Sequence, residues 1–155
     1  MSIFTEQEAK ALLDKVLALS KADECTVSLS GSVDGNIRFA LNNISTSGIV
    51  SNADLAVQSS FGKRVGTATI NEFDDAALER VVRRAEELAR LAPENPEFMP
   101  AVEKQEYKSS QTFSESTAAI SPEDRAQVAV DSIDPCRAEK LIAAGFQIGR
   151  ASCRE

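Results

Sequence analysis

Histidine is absent from this 155-residue chain, which removes the commonest general base and zinc ligand at once. A Ser-His-Asp or Cys-His arrangement therefore cannot form within it. Three cysteines remain, Cys25, Cys136 and Cys153, and none has Cys-x-x-Cys spacing. Cys25 opens an alternating apolar and polar run, so it reads as a small core residue. Cys136 follows Pro135 at an expected helix start, where a thiolate gains stabilisation. No base accompanies it. An odd count at wide spacing argues against a disulfide framework and fits a reducing cytoplasm.

Three other stretches have residue types that bind ions. Gly31-Ser32-Val33-Asp34-Gly35 has the glycines of a phosphate loop but no Lys, and it leads into a strand. Ser59-Ser60-Phe61-Gly62-Lys63-Arg64 ends in a basic tip, read as a solvated hairpin turn. Asn71-Glu72-Phe73-Asp74-Asp75 gathers oxygen ligands that suit a hard cation. Acids just before a helix have a sufficient cause in capping and the helix dipole. No catalytic, cofactor-binding or metal-ligating residue is assigned from these patterns.

The bulk composition narrows the classes further. Hydrophobic residues make up 43% and charged residues 26%, so a packed core is expected. Seven Phe, one Tyr and no Trp leave Val, Ile, Leu and Ala to build it. The net charge is −7. Arg80, Arg83, Arg84 and Arg90 are interleaved with Glu79, Glu86 and Glu87. That mixture suits a solvated helix face, so direct nucleic-acid binding is not expected. No run approaches the roughly 20 apolar residues of a membrane span. The acidic start, Met1 to Glu6, lacks the features of a secretory signal. A cytoplasmic location is the expectation.

The elements follow from periodicity. Thr5-Glu6-Gln7-Glu8 is a capping box, and Leu12, Leu13, Val16 and Leu17 form the apolar stripe behind it. This first helix should end near Lys21. Cys25, Val27 and Leu29 then alternate with polar residues. Asp34-Gly35 signals a hairpin turn, with Ile37, Phe39 and Leu41 on the returning strand. Ile44–Val50, Leu55–Phe61 and Val65–Ile70 read as further strands, with a turn at Gly62-Lys63-Arg64. Short turns favour an antiparallel meander. Asp74 or Asp75 caps a second helix whose apolar face is Leu78, Val81, Val82, Ala85, Leu88 and Ala92. Pro93 stops it. Ser121-Pro122 restarts a helix with Ala126, Ala129, Val130 and Ile133 as its apolar side. Pro135 breaks or re-caps it, and Gly145 is its natural stop. The expected fold is α+β: four to five antiparallel strands with two helices on one face. A C-terminal helical piece would begin an incomplete second domain. The domain reading is 1–92 for the α+β unit, 93–120 for a Pro-punctuated linker or arm, 121–146 for that helical piece, and 147–155 for a tail.

Several longer runs resemble a known family. They are Ser20-Lys21-Ala22-Asp23-Glu24-Cys25-Thr26-Val27-Ser28-Leu29-Ser30-Gly31 and Gly35-Asn36-Ile37-Arg38-Phe39-Ala40 with Ser45-Thr46-Ser47-Gly48. The stretches Ser60-Phe61-Gly62-Lys63-Arg64, Gly66–Asp75, Arg83–Ala89 and Leu91–Phe98 follow in order. Together they resemble the N-terminal domain of TldD/PmbA proteins, once called modulators of DNA gyrase. The resemblance implies a cytoplasmic protein longer than this chain. It implies pairing into a two-subunit metallopeptidase that degrades unfolded peptides and trims peptide precursors. In that family a His-Glu-x-x-x-His helix and a Cys of the TldD-type subunit hold zinc, and the PmbA-type partner usually lacks them. None of those ligands maps here. The implied role is that of an N-terminal fragment without catalytic residues or a cofactor of its own, partnered by a TldD-like or PmbA-like subunit. Details lie nearer the PmbA side. The alternative from the residues is a non-catalytic binding module that uses a free sheet edge or the Pro-rich arm.

Ile148-Gly149-Arg150-Ala151-Ser152-Cys153-Arg154-Glu155 resembles the translation of a common short-read sequencing adapter. The family-like text stops at Phe146. Residues 147–155 are therefore expected to be a non-native tail on a truncated chain, and Cys153 is given no functional weight.

Overall fold

The computed structural model describes residues 4–103, 105, 106, 108 and 114–154. The first three residues, part of the expected 93–120 linker and Glu155 lie outside that set, as do the side chains from Arg150 onward. The element order is α1 (Glu6–Leu19), β1 (Glu24–Ala40), β2 (Asn43–Phe61), β3 (Arg64–Ile70), α2 (Asp75–Leu91), α3 (Glu115–Ala118), α4 (Pro122–Ala138) and β4 (Gly145–Arg154). The four strands form one sheet in the order β3-β2-β1-β4. β2 and β3 are antiparallel, with Leu55 opposite Ile70 and Phe61 opposite Arg64. The class is α+β, as the alternating runs predict.

The chain divides into two compact units, and β1 and β2 pass from one to the other. The first holds α1, β1 up to Gly31, β2 from Ala53, β3 and α2. Its α1 begins at the expected capping box. The Glu8 N–H donates to Thr5 Oγ1 at 3.2 Å, and the Thr5 N–H donates to Glu8 Oε2 at 2.8 Å. Two backbone donors at the helix start are thereby satisfied. Asp74 caps α2 by accepting the Ala77 N–H at 2.9 Å. The core joins Ala9 and Val16 of α1, Leu29 of β1, Leu55 and Val57 of β2, and Leu78, Val81, Val82 and Ala85 of α2. All of these are aliphatic, which the shortage of aromatics requires. Each fully buried Val or Leu contributes roughly 1.5–3 kcal/mol.

Two contacts fix α2 within this unit. Gly66 of β3 lies against the α2 backbone so closely that a Cβ would overlap the Ala89 nitrogen and stand 2.5 Å from the Ala85 carbonyl oxygen. Glu86 of α2, 1% exposed, accepts the Lys21 N–H at 2.6 Å and Arg83 Nη1 at 2.6 Å. Arg83 Nη2 donates in turn to the Leu19 carbonyl at 2.6 Å. One carboxylate and one guanidinium thus hold the α1–β1 connection to α2.

The second unit holds the rest of β1 and β2, α3, α4 and most of β4. Here the strand boundaries differ from the sequence expectation. Asp34-Gly35 is not a turn but the middle of β1. The reversal comes at Leu41-Asn42, both left-handed with φ of 51° and 60°. Two positive φ values match the primed turn that suits a two-residue hairpin. Asn42 tolerates this conformation better than most residues, and its side chain is engaged on both ends. Its Nδ2 donates to the Leu141 carbonyl at 2.9 Å, and its Oδ1 accepts the Ala143 N–H at 2.7 Å. Likewise Ile44–Val50 and Leu55–Phe61 are parts of the single strand β2.

Helix α4 also differs from expectation. It starts at Ser121-Pro122 as expected, but runs through Pro135 to Ala138. Lys140, left-handed at φ 56°, ends it without glycine. The Leu141 N–H donates back to the Cys136 carbonyl at 2.7 Å, the wrap-around bond of a helix C-terminus. Gly145 instead opens β4, where a Cβ would run into the Phe39 ring. Residues 147–154 of the expected foreign tail thus lie in an outer strand. Edge pairing needs only backbone N–H and C=O groups, so it speaks to geometry and not to the origin of the residues.

Substitution at either α2 contact should weaken the first unit. Gly66→Ala must push α2 off β3, and a loss of about 1–3 kcal/mol is expected from forced overpacking. Glu86→Ala leaves the Lys21 N–H and Arg83 without their acceptor. The expected loss is about 3 kcal/mol, the low end for breaking a buried pair, because the Arg83 side chain is 34% exposed. Urea midpoints at constant slope check both; an unchanged midpoint in either variant contradicts the assigned contact.

Candidate functional site

Each stretch singled out in the sequence has a structural occupation. Cys25 packs on the edge of the first unit's core as a partly buried free thiol. Cys136 is a free thiol too, but it lies in the last turn of α4. The helix N-terminus that would have stabilised its thiolate is therefore not there. Gly31–Gly35 is continuous strand rather than a loop. The basic tip at Gly62-Lys63-Arg64 is tied down on several sides. The Gly62 N–H donates to Asp23, the Lys63 carbonyl accepts the Asn95 N–H, and Arg64 Nη1 reaches the Arg90 carbonyl at 3.3 Å. Arg90 in turn stacks over Phe61, 4.4 Å from the ring centroid.

The acids before α2 are engaged as well. Asp74 caps the helix, Glu72 pairs with Arg80 at 2.7 Å, and Asp75 pairs with Lys15. Among the described residues no three His, Cys, Asp or Glu side chains gather as a metal site would require. Also among them, no helix is long and apolar enough to cross a membrane.

What sequence reasoning missed is a buried arginine. Glu86 and Arg125 are the charged side chains buried among the described residues. Glu86 is satisfied by the contacts above. Arg125, 4% exposed, is only partly so. Its Nη1 donates to the Ile120 carbonyl at 3.0 Å, while Nε and Nη2 are buried without a hydrogen-bond partner. The guanidinium lies flat on β1 at Gly35, where a Cβ would come within 2.5 Å of Cζ and Nη1. Gly35 is there for closeness rather than for a turn. The neighbouring Asp124 does not supply the missing acceptor. It is committed to the α4 capping box, accepting the Ser121 N–H at 2.8 Å. That bond and the Ser121 hydroxyl hold its carboxyl below the ordinary aspartate range.

Arg125 also lines a cavity of about 120 Å³ in the second unit. Val33, Ile49, Ala118 and Ile120 form apolar walls beside it. A sequence signal for this existed. Arg125, Ala129 and Ile133 recur every four residues and are the buried residues of α4. Of the expected apolar side, Ala129 and Ile133 lie on that stripe, whereas Ala126 and Val130 lie one position off it. Among the described residues that line it, Arg125 is the charged side chain and Thr117 the hydroxyl.

Comparison with known proteins agrees with the resemblance read from the sequence. Residues 25–89 match the family described as PmbA/TldA metallopeptidase domain 1. No curated protein sequence matches the chain. Among solved structures, TldE from Thermococcus kodakarensis superposes with a TM-score of 0.73 at 18% identity, over 94% of this chain and 38% of that one. A protein described as a modulator of a DNA gyrase from Thermotoga maritima gives 0.67 at 13% identity, over 94% and 35%. Another so described, from Bacteroides thetaiotaomicron, gives 0.63 at 14% identity, over 97% and 40%. The chain therefore spans about two-fifths of the length of these structures. Residues 25–89 thus match the first domain of that family, and the chain shares its fold with these solved structures.

Proposed function

We propose that this chain is the N-terminal part of a TldD/PmbA-type metallopeptidase subunit, acting in the cytoplasm within a two-subunit complex that cleaves or matures peptides. The observation that carries this reading is the match of residues 25–89 to the first domain of a metallopeptidase family. The chain has no histidine and three dispersed cysteines. In this reading the zinc, and the water it would activate, belong to another part of the complex. The role left to this domain is to wall the peptide cavity and to support pairing with a TldD-like or PmbA-like partner. A wall needs rigid elements more than reactive ones. The tight seating of α2 on β3 at Gly66 and the Glu86 tie supply such rigidity.

Co-expression of the full-length gene product with a TldD-type subunit tests the reading. Co-elution on size exclusion, with zinc-dependent cleavage of unfolded peptides by the complex, is the expected outcome. Separate elution with no change in the peptidase activity of the TldD-type subunit would overturn it.

A further inference from the structure

The geometry points to an interaction surface on the outer edge of β2, from Ile44 to Val50, that takes the same edge of a second copy of this chain as an antiparallel neighbour. This inference does not rest on the peptidase reading. The sheet order places β2 between β1 and β3. β3 is the shorter strand and covers β2 only from Phe61 back to Leu55. β2 itself continues back to Asn43. Along that continuation, among the described residues, no strand lies on the β3 side. Every residue from Asn43 to Asn52 except Gly48 is exposed. A row of N–H and C=O groups on such an edge is a template for one more strand. Protein edges are commonly blunted by Lys, by Pro or by inward charges. From Asn43 to Ala53 there is no charged residue and no Pro. The helices do not overhang this edge either. Ile49 is on the helix-facing side, where it lines the cavity beside α3 and α4, yet it remains 59% exposed.

The residues of the edge select the occupant. Two copies of a chain with a net charge of −7 repel each other, and an uncharged stretch is where they can approach. Pairing about a two-fold axis at Ser47 is isologous, so each contact occurs twice. It sets Ile44 opposite Val50, Ser45 opposite Ile49 and Thr46 opposite Gly48. Residues directly opposite in an antiparallel pair share a face of the sheet. Ile44 and Val50 are exposed in the single chain, and in the pair they cover each other on both sides of the axis. Both are β-branched, the shape that packs best across neighbouring strands. The same axis keeps the helices of both copies on one side of a continuous sheet. A second copy thus has the complementary edge by identity.

Sedimentation equilibrium of the full 155-residue chain is the test. The mean mass is expected to rise from 16.7 kDa toward twice that value as the concentration is raised ~100-fold to about 1 mM. Ile44→Lys and Val50→Glu, each alone, set a charge against an apolar partner twice per dimer, and each is expected to weaken association at least ~10-fold. Combined in one chain, they set opposite charges across the axis, and association is expected to recover to within ~3-fold of the unaltered chain. Both positions are exposed, so the melting temperature of the single chain is expected to hold. Should a variant fail to fold, amide hydrogen exchange in the unaltered chain decides: exchange from Ile44 to Val50 slows as the concentration rises. A mass that stays at the single-chain value throughout, full association in both single variants, or no recovery in the double variant would overturn the proposal.

Discussion

The Glu86 carboxylate, buried within α2, governs the first unit. It faces the end of α1 and the start of β1, accepting the Lys21 N–H while Arg83 bridges to the Leu19 carbonyl. A chain leaving a helix for a strand must satisfy the backbone groups it uncovers. Here a side chain on a different element satisfies them, 65 residues away in sequence. A buried carboxylate is tolerated only when it is fully paired, so α2 has one position in which this works. The aliphatic core from Ala9 to Ala85 supplies most of the burial free energy. That core alone allows α2 to slide along the sheet. The directional bonds of Glu86 and the missing side chain at Gly66 do not.

Close approach of backbone and side chain recurs in the second unit. Gly35 admits a guanidinium and Gly145 admits the Phe39 ring. Neither glycine has a left-handed φ, in contrast to Gly62. The left-handed positions at the β1–β2 turn and the end of α4 went to Leu41, Asn42 and Lys140 instead. Hydrogen bonds from Asn42 to the Leu141–Ala143 segment, and from Arg137 to the Asn42 carbonyl, offset the strain of that turn.

This division of glycine roles explains what was legible in the sequence and what was not. Helix starts are local, and Thr5, Asp74 and Ser121 each cap the helix they were assigned to. The α+β class and the aliphatic core follow from period and composition. The β1–β2 turn was misplaced because Asp34-Gly35 carries a turn signal, while the actual reason for Gly35 is Arg125, 90 positions later in the sequence. Such a reason has no local trace. The buried Arg125 was overlooked for a related cause: an arginine in the first turn of a helix reads as solvated unless its i+4 and i+8 partners, Ala129 and Ile133, are followed as one stripe. Most of the recognisable runs, by contrast, fall within residues 25–89, which match the first TldD/PmbA domain, while Ser20–Glu24 and Leu91–Phe98 flank that segment.

Function in this account is a matter of framework. In the proposed function the chain would supply rigid walls, and bond cleavage would fall to residues elsewhere in the complex. The most direct measurement is zinc content and peptide cleavage by the purified 155-residue chain, supplied with excess zinc and then desalted. The account predicts no retained zinc and no cleavage above buffer. One zinc per chain together with chelator-sensitive hydrolysis would contradict it.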